Sequence, residues 1–180
     1  MEAWTDLYNE LSQRINEKIP EVAWVDLWHE QVNYLTEELP FPTPAVFIGF
    51  STNSCEDLSQ LIQECDIQID FYLFFETLGD TYQGSYNQDS ATEYLRILTK
   101  LHACFHGVSG ENFQTLRRVD MRREDSGGSG NLYRISYNGN VEDASSQKEF
   151  NENVVNEISI SGAPIERPPV VDENPLFILP

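Results

Sequence analysis

The alternation of side chains between residues 67 and 75 constrains the fold of this chain more than any other pattern. Alternate positions hold apolar residues only, namely Ile67, Ile69, Phe71, Leu73 and Phe75. Because successive side chains of a strand point to opposite faces, this repeat of two predicts a β-strand with one face against a core. The continuous apolar run at residues 45–50 predicts a second core strand, joined to the first by a polar loop.

Two helices are predicted from apolar residues that recur at spacings of three and four. The first covers about residues 5–18, with Thr5 as its N-cap and Pro20 beyond its end; its apolar stripe is Trp4, Leu7, Tyr8, Leu11 and Ile15. The second begins at Ala91, is capped by Asp89 or Ser90, and ends near Gly107. Its apolar positions include Tyr94, Leu95, Leu98, Leu101 and Phe105.

Further strands are predicted at the start of residues 24–35, at 116–121 and 132–137 around a glycine-rich hairpin tip, and at 157–161. Residues 162–180 contain five prolines, so they cannot continue a helix or lie centrally in a sheet. We therefore expect an α+β fold: a mostly antiparallel sheet with two main helices packed on one face, and an extended proline-rich C-terminal arm. The predicted organisation is one domain at 1–161 followed by the arm at 162–180.

Composition limits the classes of partner. Lys and Arg number 11 against 30 Asp and Glu, a formal charge of -19, which disfavours tight binding to nucleic acid or to anionic membranes. The acidic N-terminus lacks the features of a signal peptide, so we expect the protein to be made and kept in the cytoplasm. Cys55, Cys65 and Cys104 have no CxxC spacing, and we expect three free thiols.

No combination of residues predicts catalysis. His102 and His106 share a helix face and Cys104 lies between them, but a third metal ligand and a zinc-protease signature are missing, so a structural role is favoured. Adjacent carboxylates are expected to be solvated surface; these pairs are Glu37–Glu38, Glu56–Asp57, Glu124–Asp125 and Glu142–Asp143. We expect a protein that is not an enzyme and has no catalytic residue, no metal and no cofactor.

Arg117, Arg118, Arg122 and Arg123 place four of the 11 basic residues within seven positions. Two interpretations are open: the arginines face an acidic surface of another subunit, or they pair internally with Asp120, Glu124 and Asp125. The arm adds a second candidate interface, because it ends in the apolar residues Leu176, Phe177, Ile178 and Leu179. These residues dock either on a neighbouring protein or back on their own domain.

The order of elements resembles the tail terminator and tail completion proteins of tailed bacteriophages, which are small α+β subunits that form a ring at the head-proximal end of the tail. The resemblance extends over about residues 4–161. It rests on the helix at 5–18, the entry Pro42-Thr43-Pro44-Ala45-Val46-Phe47-Ile48 into a strand, the strand at 66–75, the helix at 91–107, the strand Leu132-Tyr133-Arg134-Ile135-Ser136-Tyr137 of the late hairpin, and the segment Val141-Glu142-Asp143-Ala144-Ser145-Ser146. The stretch 147–156 and the arm depart from that pattern.

The resemblance implies a structural virion protein at the head–tail junction. It would be assembled in the host cytoplasm, form a homo-oligomeric ring, and contact the tail tube and head–tail connector proteins. The alternatives are a head-completion or neck protein of the same virion, or an acidic DNA-mimic type binding protein. The net negative charge of the chain agrees with this position, because an acidic ring repels the phosphates of DNA that passes through it.

Overall fold

The computed structural model describes residues 3–34, 41–59, 61–76, 81–127 and 130–146, all within a compact unit that spans Met1–Lys148. The predicted strand at 157–161, the arm at 162–180 with its apolar end, and the Glu37–Glu38 pair lie outside the described residues. The predicted division into a domain at 1–161 and an arm stays a prediction.

The described elements follow the chain in an α+β order. They are α1 (Ala3–Lys18), β1 (Trp24–Leu27), a 3-10 helix (Gln31–Tyr34), β2 (Ala45–Ser59), β3 (Ile62–Phe75), α2 (Gln88–Ala91), α3 (Glu93–Phe105), β4 (Arg117–Glu124) and β5 (Asn131–Asp143). The strands form one sheet in the order β1-β2-β3-β5-β4. Three of the four strand pairs are antiparallel and β1 is parallel to β2, which confirms the predicted fold class.

The main core lies between the sheet and the two long helices. Leu7, Leu11 and Ile15 of α1 are buried in one cluster with residues of β2 and β3, and α3 contributes Ile97, Leu101 and Phe105 to the same cluster. Trp4, at the start of the predicted stripe, is exposed. On β3 the predicted alternation is confirmed, because Ile67, Ile69, Phe71 and Leu73 are all fully buried in this cluster. Burial of this set against two helices supplies most of the hydrophobic stabilisation that the described residues provide.

The opposite face of the sheet has a smaller aromatic cluster. Phe47, Phe74 and Leu132 are buried there, and Trp28 and Phe41 pack against them. The Trp28 ring stacks on Tyr72 with 4.0 Å between ring centroids and 7° between planes. We call the two surfaces of the sheet the helix face and the opposite face.

Three local predictions are wrong. The predicted loop between the first two core strands is a continuation of both strands, because β2 reaches Ser59 and β3 begins at Ile62. The side chains from 51 to 58 are exposed on both faces of this extension. The sequence therefore shows no alternation of apolar and polar residues there, because neither face is buried. Thr5 lies within α1, and Thr92, not Asp89 or Ser90, occupies the N-cap position of α3.

The expectation of three free thiols is also wrong. Continued pairing of β2 with β3 places Cys55 directly opposite Cys65, and the two form a disulfide with 4.1 Å between Cα atoms. Cys104 is the free cysteine of the described residues. Sequence spacing alone could not show this pair, because the opposition depends on the register of a hairpin whose mostly polar composition also fits a loop.

Candidate protein interface

Strand β4 forms one edge of the sheet and carries all four predicted interface arginines. Cross-strand partners assign them to faces: Arg118 lies opposite Tyr137 and Arg123 opposite Tyr133, on the helix face. Arg117 and Arg122 lie opposite Asn138 and Arg134, on the opposite face. All four arginines are exposed. The patch is therefore an exposed edge with two cations on each side of the sheet.

One of the four arginines belongs to an ion-pair network on the opposite face. Arg122 Nε lies 3.0 Å from Glu124 and 3.5 Å from Asp120. Arg134 Nε lies 3.2 Å from Glu124 Oε1, close enough for the charges to attract but not aligned for a hydrogen bond. Among the described residues, Arg117, Arg118 and Arg123 form no ion pair, so the internal-pairing interpretation holds for Arg122 only.

The outer backbone edge of β4 is partly covered by the segment that follows α3. The Gly107 N–H donates to Leu116 O over 2.8 Å, and the Leu116 N–H donates to Val108 O over 3.0 Å. The Arg118 N–H donates to His106 Nδ1 over 3.1 Å. From Val119 to Glu124 the outer edge has no backbone partner among the described residues. Val119 and Met121 add exposed apolar surface to this stretch.

His106 therefore has a structural part, because its Nδ1 accepts a hydrogen bond at the start of β4. The His102 and His106 rings lie 4.6 Å apart between centroids. Burial, and then the positive charges of Arg118 and His106, lower the pKa of His102. No group of three or more His, Cys, Asp or Glu side chains is placed to hold a metal ion in the described part of the chain.

Cys104 lines a groove of about 380 Å³ between α1 and α3, together with Arg14, Lys18 and Lys100. Burial raises the pKa of the Cys104 thiol, although Arg14 and Lys18 act in the other direction. A thiol with a raised pKa is mostly protonated at neutral pH and is a poor nucleophile. Cys104 also packs against the main core, in agreement with the structural role that the sequence indicated.

Carboxylates gather at the far end of the β2–β3–β5 extension, a feature that the sequence analysis missed. Glu56 lies opposite Glu64, and Glu64 lies opposite Glu142, so three glutamates form a row across three strands. Like charges in opposed positions are destabilising, so this acidic row is not there for stability. The signal was present only in the register, which pairs residues 56, 64 and 142 although they are far apart in sequence.

The glycine-rich hairpin tip forms no binding site among the described residues. Gly127 and Gly130 have φ values of 66° and 133°, which suits the hairpin tip that the sequence predicted. In the part of the chain that the structure describes, no helix is both long and apolar enough to cross a membrane. No protein-family model matches this chain, and no curated protein is significantly similar to it.

Proposed function

We propose that this protein is a structural subunit of a tailed-phage virion that caps or completes the tail at its head-proximal end, acting through protein–protein contacts and assembly with copies of itself. The observation that carries this proposal is the edge of β4. It combines a backbone from Val119 to Glu124 that has no partner on its outer side within the described residues with exposed arginines on both sides of the sheet. An unpaired edge strand is a template for another chain, and the charges select the partner.

The charge of the protein supports the tail-end position within this proposal. With 30 acidic residues against 11 basic ones, the subunit repels the phosphate backbone, and a ring around a DNA passage should not hold the DNA. Tail tube and connector proteins are the other proposed partners, and no membrane contact is proposed. A head-completion or neck position in the same virion would use the same edge.

The DNA-mimic alternative is favoured by one observation, the row of Glu56, Glu64 and Glu142. The row spans only two inter-strand spacings, about 10 Å. A DNA strand presents a charge about every 3.4 Å over a much longer path, so a mimic needs a longer stripe than the described residues provide. The tail-end function is therefore the better supported of the two.

The test of the proposed function is complementation in a phage or tail particle that encodes this chain. We call the variant Arg117→Glu with Arg123→Glu the β4-reversed variant, and these two positions leave the Arg122 ion pairs in place. We expect labelled wild-type protein at the head–tail junction and at least about a tenfold loss of complete particles with the β4-reversed variant. The control, Arg96→Glu with Lys100→Glu on α3, changes the net charge equally and leaves β4 unchanged, although it also removes the ion pairs of Arg96 with Glu93 and of Lys100 with Glu21. Labelled protein that never reaches the junction would refute the proposal.

A further inference from the structure

We propose that the outer edge of β2, from Gly49 to Ser59, receives the β4 edge of a second copy of this chain. This pairing rests on the proposed function, because it supplies the subunit contact of the tail-end assembly. Both edges belong to the same sheet, at its two ends, so one copy can offer its β4 to a neighbour while its own β2 receives another. The contact is therefore head-to-tail, and identical contacts of this kind close into a ring when the rotation permits.

The first argument is that most of the outer edge of β2 has no strand partner in the part of the chain that the structure describes. Strand β1 pairs with β2 only from Ala45 to Ile48, and the bond from Trp28 N–H to Ile48 O, 2.9 Å long, is the last backbone hydrogen bond on that side among the described residues. Beyond Ile48 no described residue pairs with the outer edge of β2. An open edge of this length is normally protected or used in association.

The second argument is the direction of the backbone groups on that edge. In antiparallel pairs the Cα atoms of opposed residues are about 4.5 Å apart where the two residues share no hydrogen bonds, and about 5.5 Å apart where they do. Cys55 and Cys65 are opposed with 4.1 Å between Cα atoms, so they form a pair without mutual hydrogen bonds. The backbone N–H and C=O groups of Cys55, and of Asp57 two residues on, therefore point outward, away from β3.

The third argument is that the two edges carry opposite net charge. Glu56 is on the opposite face, in the row with Glu64, and Asp57 is on the helix face with Cys55. Strand β4 carries four arginines against Asp120 and Glu124, whereas the end of β2 carries Glu56 and Asp57, so the two edges have opposite net charge. Because Glu56 and Asp57 are adjacent, a single antiparallel register brings either Arg117 or Arg123 of the neighbour beside them. Pairing of β4 with β4 would instead place like charges together, which is unfavourable.

Strand directions agree with this contact. β2 is antiparallel to β3, β3 to β5 and β5 to β4, so β4 runs antiparallel to β2 within one subunit. A copy related by rotation about an axis along the strands keeps that relation. Its β4 would therefore add to β2 as an antiparallel strand, the pairing that is slightly more stable per residue.

A charge-swap experiment on the full chain tests the pairing. The β2-reversed variant carries Glu56→Lys and Asp57→Lys, and its control carries Glu17→Lys and Asp89→Lys at exposed helical positions. Self-association is measured by sedimentation over a range of concentrations. We expect wild type and both control variants to associate, and the β2-reversed and β4-reversed variants each to dissociate with at least a tenfold higher Kd.

Mixing the two reversed variants gives the decisive result. In an alternating assembly the acidic β4 of one variant meets the basic β2 of the other at every second contact, and the unchanged β4 meets the unchanged β2 at the contacts between. Two copies of the same variant would oppose like charges, so we expect the mixture to assemble into particles with an even number of subunits. A single chain with both reversals should associate like wild type. Wild type that stays monomeric at the highest soluble concentration, or reversals without effect, or no recovery on mixing, would each overturn the β2–β4 pairing. Localisation at the head–tail junction is scored separately, so the proposed function can survive that failure.

Discussion

Phe71 and Tyr72 are neighbours on β3, yet they face two regions that are built differently. Phe71 is fully buried on the helix face, where its ring stacks on Phe105 at 4.4 Å between centroids and meets Tyr137 edge-on at 5.6 Å. Tyr72 is half-buried on the opposite face, where Trp28 covers its ring. Two helices close the first face, whereas the described residues that pack on the second come from short segments between β1 and β2.

The polar groups follow the same division. On the opposite face Asp70 accepts a hydrogen bond from Ser136 over 2.5 Å, and the network of Arg122, Arg134 and Glu124 lies towards β4. The helix face holds the main core. Most of the buried apolar side chains therefore lie on the helix face, whereas the opposite face and the edges carry the charges that we assign to assembly.

The largest expected effect is at the centre of the helix face. Phe71→Ala removes a ring that contacts both Phe105 and Tyr137, so we expect a loss of about 3–5 kcal/mol in the free energy of unfolding. Urea unfolding, with the slope m compared between variants, measures it. Tyr72→Ala on the other face should cost clearly less. Equal losses at the two positions would show that the faces contribute alike.

The second largest effect concerns the stacked rings of Trp28 and Tyr72 on the opposite face. Trp28→Ala should cost about 1–3 kcal/mol, because it removes a half-buried ring that stacks on Tyr72. Combined with Tyr72→Ala in a double-mutant cycle, the coupling between the rings should be about 0.5–1.5 kcal/mol. Trp24→Ala is the control, since Trp24 is an exposed indole on β1. A coupling near zero would mean that the stack does not stabilise the fold.

Periodicity predicted the parts of the fold that are buried on one side. The stripe of α1, the stripe of α3 and the alternation from Ile67 to Phe75 each predict which residues face the core, and the structure buries most of them. Trp4 and Leu95 are the exceptions, because both are exposed. The fold class followed from the order of these elements. The proline-containing entry at residues 42–44 likewise leads directly into β2.

Periodicity could not predict the parts that are exposed on both sides or that depend on register. Residues 51–58 are mostly polar and show no alternation, so their composition fits an exposed hairpin and a loop equally well. The disulfide and the glutamate row arise from opposition across strands, which no local pattern encodes. The arginine cluster was visible in the sequence. Which of its arginines form ion pairs was not, because that depends on how the neighbouring strands place residues such as Arg134 and Asp120.

A smaller effect concerns the border of the helix face, where His102 meets Arg118 and His106. The pKa of His102 is lowered from 6.5, so the unfolded chain binds its proton more readily than the folded one. Protonation of His102 therefore costs no stability above about pH 6.5, where the residue is neutral in both states. The free energy of unfolding falls as the pH drops from there through the lowered pKa of the folded state. His102→Asn should flatten this part of the stability–pH curve relative to wild type. NMR titration of the His102 ring checks the direction; a pKa above 6.5 would reverse the prediction.

The smallest effect tests whether the core on the helix face contains a buried hydroxyl without a hydrogen-bond partner. Tyr137 is fully buried, its Oη has no hydrogen-bond partner among the described residues, and burial raises its pKa to about 12. A buried hydroxyl without a partner costs free energy, so Tyr137→Phe should leave stability unchanged or raise it by up to about 1 kcal/mol. Tyr137→Ala, which also removes the ring contacts with Phe71 and Phe105, should cost about 3–5 kcal/mol and shows that the site is sensitive. If Tyr137→Phe instead destabilises by more than about 1.5 kcal/mol, the hydroxyl must have a partner such as a buried water. The helix face would then also be stabilised by a polar group. The two faces would differ only in how many polar groups they contain.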